Sequence, residues 1–215
     1  MKEWKGNSNS AHAAIAAHRG GGKTMRQEDD FYATDPIALQ TLLSSCSNWL
    51  NSRFKEIKLN QTPVWECACG NGNLAKILVS YGYNTVATDI KDRGYGQTGK
   101  HHNFLKSHLF VLNYHILTNP PYSLATEFIE HALDILPEGG LYIALMNITY
   151  LAGQKRYQRV YSKGNLREIY VFSKRIECWK NGERPKDKCG SIANYAWYIF
   201  QKGYTGRPQI EWLSV

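Results

Sequence analysis

The chain has 215 residues, of which 43% are hydrophobic and 20% are charged, as expected of a folded globular protein with a sizeable core. No apolar run is long enough to cross a bilayer, and residues 1–23 lack the apolar core of a signal peptide, so we expect a cytoplasmic protein. Five cysteines are an odd number for a disulfide framework. The composition therefore excludes membrane-embedded proteins and disulfide scaffolds.

The net charge of +8 is concentrated in one segment. Residues 151–191 contain eleven Lys or Arg and four Asp or Glu, a net charge of +7. A local basic segment is typical of proteins that bind a polyanion such as nucleic acid, although it also fits a solvated surface.

The predicted elements begin after an N-terminal arm. Residues 1–30 are rich in Gly, Ser, Asn and His without a sustained period, so we expect a flexible arm followed by one domain over 31–215. The GGGKT stretch at 20–24 lacks the first glycine and the preceding strand of a phosphate-binding loop. Asp35 and Pro36 predict a helix start, and the helix should run to about Leu50.

From residue 36 onward, predicted helices and strands alternate. Strands are predicted at TPVWECA, YNTVATDI, YHILT and GLYIALMN, and helices at NLAKILVSYG and LATEFIEHALDIL. This order predicts an α/β fold with a mostly parallel sheet covered by helices. Later, REIYVFSKRIEC and NYAWYIFQKG predict an antiparallel strand pair at one edge of the sheet, joined by the basic loop 178–191.

The stretch VWECACGNGNL places an acid at the end of a buried strand and two glycines before a helix. Gly70 and Gly72 would let the backbone turn sharply and approach a ligand near the helix N-terminus, although an ordinary β-to-α turn has the same pattern. Asp89 ends the next strand, where an acid can bind both hydroxyls of a ribose. Together with Glu66, these residues predict a site for an adenosine-bearing ligand.

The stretch TNPPY ends the third predicted parallel strand, at the edge where ligands of such sheets bind. The Asn119 side-chain oxygen and the carbonyl before Pro121 can each accept a hydrogen bond from a planar amino group. Pro120 and Pro121 make the backbone rigid, and Tyr122 offers a ring on which a base can stack. The pattern predicts a site that binds an amide-like or aryl amine and polarises it towards attack on an electrophilic methyl group.

At these motifs the sequence resembles the amino-methyltransferases that use S-adenosylmethionine, and most of all the small DNA adenine-N6 methyltransferases of phage and prophage type. The resemblance covers roughly residues 28–213. It rests mainly on VWECACGNGNL and TNPPY, with support from DDFYATDP, ATDI, NFL and the C-terminal stretches FSKRIECWKNG and GSIANYAWYIFQKGYTGRPQIEWL. Asn103 stands where these enzymes usually have Asp, so its side chain can accept a hydrogen bond without carrying a charge.

The resemblance implies the Rossmann-like class I methyltransferase fold, with a seven-stranded, mostly parallel sheet whose last two strands form the antiparallel pair. It also implies transfer of a methyl group from S-adenosylmethionine to the N6 amino group of adenine in DNA after base flipping, with Asn119, Pro120, Pro121 and Tyr122 as the catalytic residues. The implied cofactor-binding residues are Phe31, Tyr32, Thr34, Glu66, Cys67, Ala68, Gly70, Gly72, Asp89, Ile90, Asn103 and Phe104.

Larger relatives carry a separate target-recognition domain, for which this chain has no room. DNA contacts are therefore expected in the arm, in the loop around 153–165 and in the loop 178–191, and short or relaxed sequence specificity follows. The candidate phosphate contacts are Lys155, Arg156, Arg159, Lys163, Lys180, Arg184 and Lys186.

Three alternatives remain open at this stage. The substrate could be adenine in RNA or a glutamine side chain in a protein, although the basic segment disfavours a protein substrate. The chain could also be an inert nucleic-acid-binding protein on the same fold. A metal site is not expected, because Cys67, Cys69, His101 and His102 fit no common zinc spacing.

Overall fold

The computed structural model describes residues 31–99, 102–107, 113–176, 178–180 and 194–215, except for the side chains of residues 179 and 180. The predicted arm over 1–30 lies outside this range. The helices of the described residues are α1 (Ile37–Ser45), α2 (Asn48–Leu59), α3 (Asn73–Ser80), α4 (Ala125–Ile135) and α5 (Gln154–Arg159). None of them combines the length and the apolar character needed to cross a membrane.

The strands of the described residues form an eight-stranded sheet and a two-stranded ribbon. They are β1 (Tyr32–Thr34), β2 (Val64–Glu66), β3 (Thr85–Asp89), β4 (Gln97–Thr98), β5 (His115–Thr118), β6 (Leu141–Asn147), β7 (Leu166–Phe172), β8 (Cys178–Lys180), β9 (Tyr195–Gln201) and β10 (Gln209–Leu213). Short 3₁₀ turns cover Phe104–Lys106, Tyr122–Leu124, Ile148–Leu151 and Tyr161–Lys163.

The large sheet has the order β10-β7-β9-β6-β5-β2-β3-β4. Every neighbouring pair is parallel except those of β9, which runs antiparallel to both β6 and β7. The predicted α/β fold with a mostly parallel sheet and a C-terminal antiparallel pair is confirmed. The sheet has eight strands where seven were expected. Because β10 pairs with β7, the antiparallel pair does not form the edge.

Side chains that alternate along the central strands divide the core between the two faces of the sheet. On β6, for example, Ile143 packs in one core cluster and Tyr142 in the other. Helices α1, α2 and α3 cover the first face, and α4 covers the second. Burial on both faces explains why the central strands read as continuous apolar runs.

The helix expected from Pro36 to about Leu50 is interrupted at Ser47. The Ser47 hydroxyl accepts a hydrogen bond from the Leu50 amide (3.1 Å) and so caps a second helix, α2. The same hydroxyl donates to the carboxylate of Glu168 on β7 (3.0 Å). A long-range polar contact therefore divides a segment that looks continuous in the sequence. The helix α1 begins one residue later than expected, with Pro36 at the N-cap, and Asp35 Oδ1 accepts from the Ile37 amide (3.0 Å) just outside it.

The expected loop over 178–191 begins as a strand. Strand β8 pairs antiparallel with β1, with Thr34 opposite Cys178. Residues 32–34 of the described domain are therefore paired with residues 178–180 of the basic segment. Residues 181–193 lie outside the described range.

Candidate active site

Three neighbouring parallel strands end at the same edge of the sheet. Strand β2 ends at Glu66, β3 at Asp89 and β5 at Thr118, and β2 lies between the other two. The Thr118 hydroxyl donates a hydrogen bond of 2.5 Å to Glu66 Oε1. The residue after Thr118 is Asn119, so this bond links the Asn-Pro-Pro-Tyr turn to the strand that precedes the glycine loop.

Glu66 is a buried acid with a strongly perturbed pKa. Its side chain is 1% exposed and accepts hydrogen bonds from Thr118 and from the Ala68 amide (3.2 Å). Burial raises the pKa of Glu66 to about 8, against those two hydrogen bonds, and the charge of Asp89 adds to the rise. The folded state therefore favours the neutral, protonated form of Glu66.

Asp89 fixes the glycine loop from the neighbouring strand. Its Oδ2 accepts from the Gly70 amide (2.8 Å), and its Oδ1 accepts from the Lys91 amide (2.9 Å). Each carboxylate oxygen retains a second lone pair, so Asp89 can still accept a hydrogen bond from a ligand hydroxyl. Ile90, which follows it, is 51% exposed.

Gly70 and Gly72 adopt positive φ angles of +54° and +83°. A Cβ at Gly70 would lie 2.4 Å from the ring of Phe31, and a Cβ at Gly72 would lie 2.3 Å from the ring of Tyr95. The loop is thus shaped so that a flat group can lie directly on its backbone. The structure places Phe31 at this loop, and Tyr95 is a neighbour that the sequence did not indicate.

A cationic side chain lies against each of the two rings on the glycine loop. The Arg93 guanidinium lies 4.1 Å from the centre of the Phe31 ring, and Lys76 Nζ lies 5.1 Å from the centre of the Tyr95 ring. Both distances are within cation–π range. The surface over the loop is therefore aromatic and positively charged.

Four of the candidate cofactor residues lie in or next to the core. Cys67 and Phe104 are each 2% exposed, and burial raises the pKa of the Cys67 thiol well above its usual value. The Phe104 ring packs edge-on against Trp65 (5.3 Å between centroids), and Ala68 is partly buried against the same cluster. The Asn103 Oδ1 accepts from the Leu105 amide (3.1 Å) and caps a 3₁₀ turn.

The amide of Asn119 has a defined orientation. Its Nδ2 donates to the Thr34 hydroxyl (2.9 Å) and to the carbonyl of Tyr32 (3.4 Å). A carbonyl oxygen can only accept, so the nitrogen must face Tyr32. The opposite atom, Oδ1, is buried and has no hydrogen-bond partner in the described structure. Buried acceptors are almost always paired, so an orphaned one is expected to serve a ligand.

Tyr122 lies in a group of tyrosine rings. Its ring centre is 6.0 Å from that of Tyr32, with 23° between the planes, and 5.9 Å from that of Tyr195. Tyr150 approaches at 6.4 Å, and its hydroxyl donates to the Tyr122 carbonyl. Pro120 is buried, and Pro121 is half-buried with φ −59° and ψ 122°. The turn is thus rigid and lined with aromatic groups.

Burial raises the pKa of Tyr122 well above its usual value, and Cys178 and Tyr195 add to the rise. The phenol is therefore neutral at physiological pH, and it cannot act there as a base. Burial also raises the pKa of Cys178, to about 12, beside the hydroxyls of Tyr195, Tyr122 and Thr34.

The segment 31–34 contacts both halves of this edge. Phe31 lies on the glycine loop, and the Thr34 carbonyl accepts from Asn73 Nδ2 (2.9 Å) in the first turn of α3. The ring of Tyr32 and the hydroxyl of Thr34 meet the Asn-Pro-Pro-Tyr turn. The structure therefore brings the N-terminal motif, the glycine loop and the turn together.

The candidate phosphate contacts differ in their surroundings. Arg159 is bound to Glu127 and Glu130 on α4, and Arg156 stacks on the Tyr150 ring (4.8 Å) while donating to the carbonyl of Ala152. Lys155 and Lys163 are exposed. Arg184, Lys186 and the side chain of Lys180 lie outside the described residues. Of the four described cations, the two lysines are thus the better placed for a phosphate.

Sequence reasoning missed Asn73, Tyr95, Tyr150, Cys178 and Tyr195. Tyr95 lies in a loop without periodicity, and Cys178 reaches the site only through the pairing of β8 with β1. No local pattern marks either residue. Among the described residues, no group of three or more His, Cys, Asp or Glu could hold a metal ion; His101 lies outside them.

No family model and no curated protein matches the sequence. Solved structures do match its fold. A candidate class I S-adenosylmethionine-dependent methyltransferase from Listeria monocytogenes aligns over 96% of this chain and 72% of its own length, with 13% identity and a TM-score of 0.53. The chain has the class I methyltransferase fold.

Two further neighbours are parts of larger proteins. The type IIG restriction endonuclease BpuSI aligns over 90% of this chain and 27% of its own, with 17% identity and a TM-score of 0.54. The type ISP restriction-modification enzyme LlaGI was solved as a nuclease-deletion mutant in complex with a DNA substrate mimic. It aligns over 98% of this chain and 30% of its own, with 11% identity and a TM-score of 0.52. At these identities the likeness concerns the fold alone.

Proposed function

We propose that this protein transfers a methyl group from S-adenosylmethionine to the N6 amino group of adenine in DNA. The observation that carries the proposal is the Asn119 amide, whose nitrogen is occupied and whose buried oxygen has no partner. An acceptor held in this way suits an amino group, which can only donate to it.

The acceptor also suits the chemistry of an aryl amine. The lone pair of such a nitrogen is delocalised into the ring, so the amine is a poor nucleophile. A hydrogen bond from the amine to Asn119 Oδ1 favours the tetrahedral nitrogen, whose lone pair is localised. Asn119 is neutral, so it orients and polarises the amine without removing a proton.

The edge next to Asn119 fits S-adenosylmethionine. We assign the positive-φ loop at Gly70 and Gly72 to the amino-acid portion and Asp89 to the ribose. When bound, the cofactor supplies an electrophilic methyl group on a sulfonium. Phe31 and Tyr95 would have to adjust, because their rings lie directly on the loop backbone.

DNA is supported as the substrate by two observations. The segment 151–191 carries a net charge of +7, and residues 178–180 of it pair with β1 next to the site. Two proteins of similar fold are restriction or restriction-modification enzymes, one of them bound to a DNA substrate mimic. A base must leave the helix to reach Asn119, and the tyrosines around Tyr122 offer rings for stacking.

A tritium-transfer assay with duplex DNA, RNA and protein as substrates tests the substrate class. We expect label in DNA and N6-methyladenine after digestion. Label in RNA or in protein glutamine would show that the substrate is not DNA, while methyl transfer to a planar amine would stand. DNA label without N6-methyladenine would overturn the proposal.

Asn119→Ala tests the site itself. Transfer should fall by at least ~100-fold, while binding of S-adenosylhomocysteine in calorimetry stays within about threefold. Asn84→Ala is the matched control, because Asn84 is exposed and directly precedes β3, at the end of that strand remote from the site. Retained activity in Asn119→Ala would remove this residue from the mechanism. Absence of S-adenosylhomocysteine binding by the wild type would instead favour an inert nucleic-acid-binding protein.

A further inference from the structure

We propose that Thr34 is a positioning residue that fixes the orientation of the catalytic amide, rather than a contact to the cofactor. The inference rests on the proposed function, because it assigns Asn119 Oδ1 to the substrate amine. Its basis is the hydrogen bond of 2.9 Å from Asn119 Nδ2 to the Thr34 hydroxyl.

An asparagine amide can rotate by half a turn and exchange its oxygen with its nitrogen. Rotation would place two N–H donors where the substrate also presents donors, and the amine could not be bound. The Tyr32 carbonyl opposes the rotation only through a long contact of 3.4 Å. A hydroxyl could also donate to a rotated amide oxygen, but the Thr34 hydroxyl has the Cys178 side chain as a second hydrogen-bond partner. With its hydrogen directed to the sulfur, the hydroxyl meets the amide as an acceptor at 2.9 Å and reinforces the orientation that the Tyr32 carbonyl selects.

Thr34 is itself held firmly. Its side chain is 3% exposed, and its carbonyl accepts from Asn73 Nδ2 at 2.9 Å. Its backbone lies opposite Cys178 in the β1–β8 ribbon. A buried hydroxyl on a paired strand cannot easily turn away, so it stays within hydrogen-bond reach of the Asn119 amide.

The alternative role, a direct contact to the cofactor, predicts a different defect. Loss of a cofactor contact weakens binding of S-adenosylhomocysteine and is overcome by a saturating cofactor concentration. Loss of amide orientation lowers kcat and leaves cofactor affinity unchanged. The two roles of Thr34 can therefore be separated by kinetics.

Thr34→Val removes the hydroxyl and keeps the shape of the side chain, and Thr34→Ser keeps the hydroxyl. We expect Thr34→Val to lower kcat by roughly 10- to 100-fold, the scale on which small misplacements act. The affinity for S-adenosylhomocysteine should stay within about twofold, and Thr34→Ser should recover kcat to within about threefold. Circular dichroism melting of both variants controls for folding.

Each outcome has one meaning. Wild-type kcat in Thr34→Val, or weaker S-adenosylhomocysteine binding with kcat restored at saturation, would overturn the positioning role and leave the methyltransferase proposal intact. Failure of the wild type to label any nucleic acid or protein would overturn the proposed function itself. If Thr34→Val melts early, a low kcat in Thr34→Ser with wild-type melting and cofactor binding would equally reject the role of the hydroxyl.

Discussion

The Thr118 hydroxyl donates a hydrogen bond of 2.5 Å to the buried carboxyl of Glu66 across the parallel strands β5 and β2. The bond connects the turn that carries Asn119 to the loop that carries the glycines. The acceptor of this bond is Glu66, and burial raises the pKa of Glu66 to about 8. The two halves of the site are therefore joined through a group that titrates near physiological pH.

Glu66→Gln should abolish a pH dependence of stability. The folded state keeps a proton on Glu66 that the unfolded chain loses near its ordinary pKa of 4.5. Stability therefore falls as the pH rises from about 4.5 to about 8, and above that the penalty is complete. Glutamine preserves the acceptor for Thr118 and cannot ionise.

We expect wild type and Glu66→Gln to unfold in urea with similar free energies at pH 5. At pH 9 the variant should be more stable by several kcal/mol, with about 5 kcal/mol as the upper bound from the shift. Glu56→Gln is a suitable control, because Glu56 is an exposed acid on α2. A constant difference between wild type and Glu66→Gln from pH 5 to pH 9 would contradict the buried, protonated state.

Tyr122→Phe tests which part of the tyrosine matters. The Tyr122 hydroxyl is buried beside Tyr195, Cys178 and Asn119 without a hydrogen bond of good geometry, while its ring contacts three other tyrosines. Removing a buried hydroxyl that makes no well-formed hydrogen bond should leave stability unchanged or raise it by about 1 kcal/mol, because a desolvation cost disappears. Methyl transfer should stay within about threefold, since only the ring face is assigned to the base.

Tyr122→Ala is the contrasting variant, because it removes the ring as well. It should raise the KM for DNA by about tenfold or more, as loss of base stacking is worth about 1–3 kcal/mol. Equal losses of activity in Tyr122→Phe and Tyr122→Ala would show that the hydroxyl has a role.

Gly72→Ala should destabilise the protein more than Gly94→Ala. Both glycines have similar positive φ angles, +83° and +79°, so both substitutions carry a left-handed strain of about 1–2 kcal/mol. A Cβ at residue 94 meets nothing within 4 Å, whereas one at residue 72 lies 2.3 Å from the Tyr95 ring. The difference between the two unfolding free energies measures the close packing of Tyr95 alone, and equal values would contradict that packing.

The alternation of helices and strands was predictable because each core strand and helix carries its own apolar pattern. The position of Asn119 at the carboxyl edge of the sheet was also predictable, since it directly follows a buried strand. The interruption at Ser47 was not, because its partner Glu168 is 121 residues away. The same holds for the β1–β8 ribbon, which brings Cys178 beside Thr34. Contacts between distant segments leave no local pattern in the sequence.

The salt dependence of DNA binding should distinguish the basic residues of the 151–191 segment. Each phosphate contact contributes about 0.9 to the slope of log K against log salt concentration. Lys155 and Lys163 are exposed, whereas Arg159 is bound to Glu127 and Glu130. The neighbouring carboxylates already neutralise the guanidinium, and their hydrogen bonds raise the pKa of Arg159 above its usual value.

We therefore expect Lys155→Ala and Lys163→Ala each to reduce the slope by about 0.9, and Arg159→Ala to reduce it by less than half as much. The three variants lose the same single positive charge, so they are matched controls for net charge. Fluorescence anisotropy with a labelled duplex at four or more salt concentrations measures the slopes. Equal reductions in all three would mean that the DNA responds to the overall charge of the segment. A large reduction in Arg159→Ala alone would mean that DNA displaces the α4 carboxylates from this arginine.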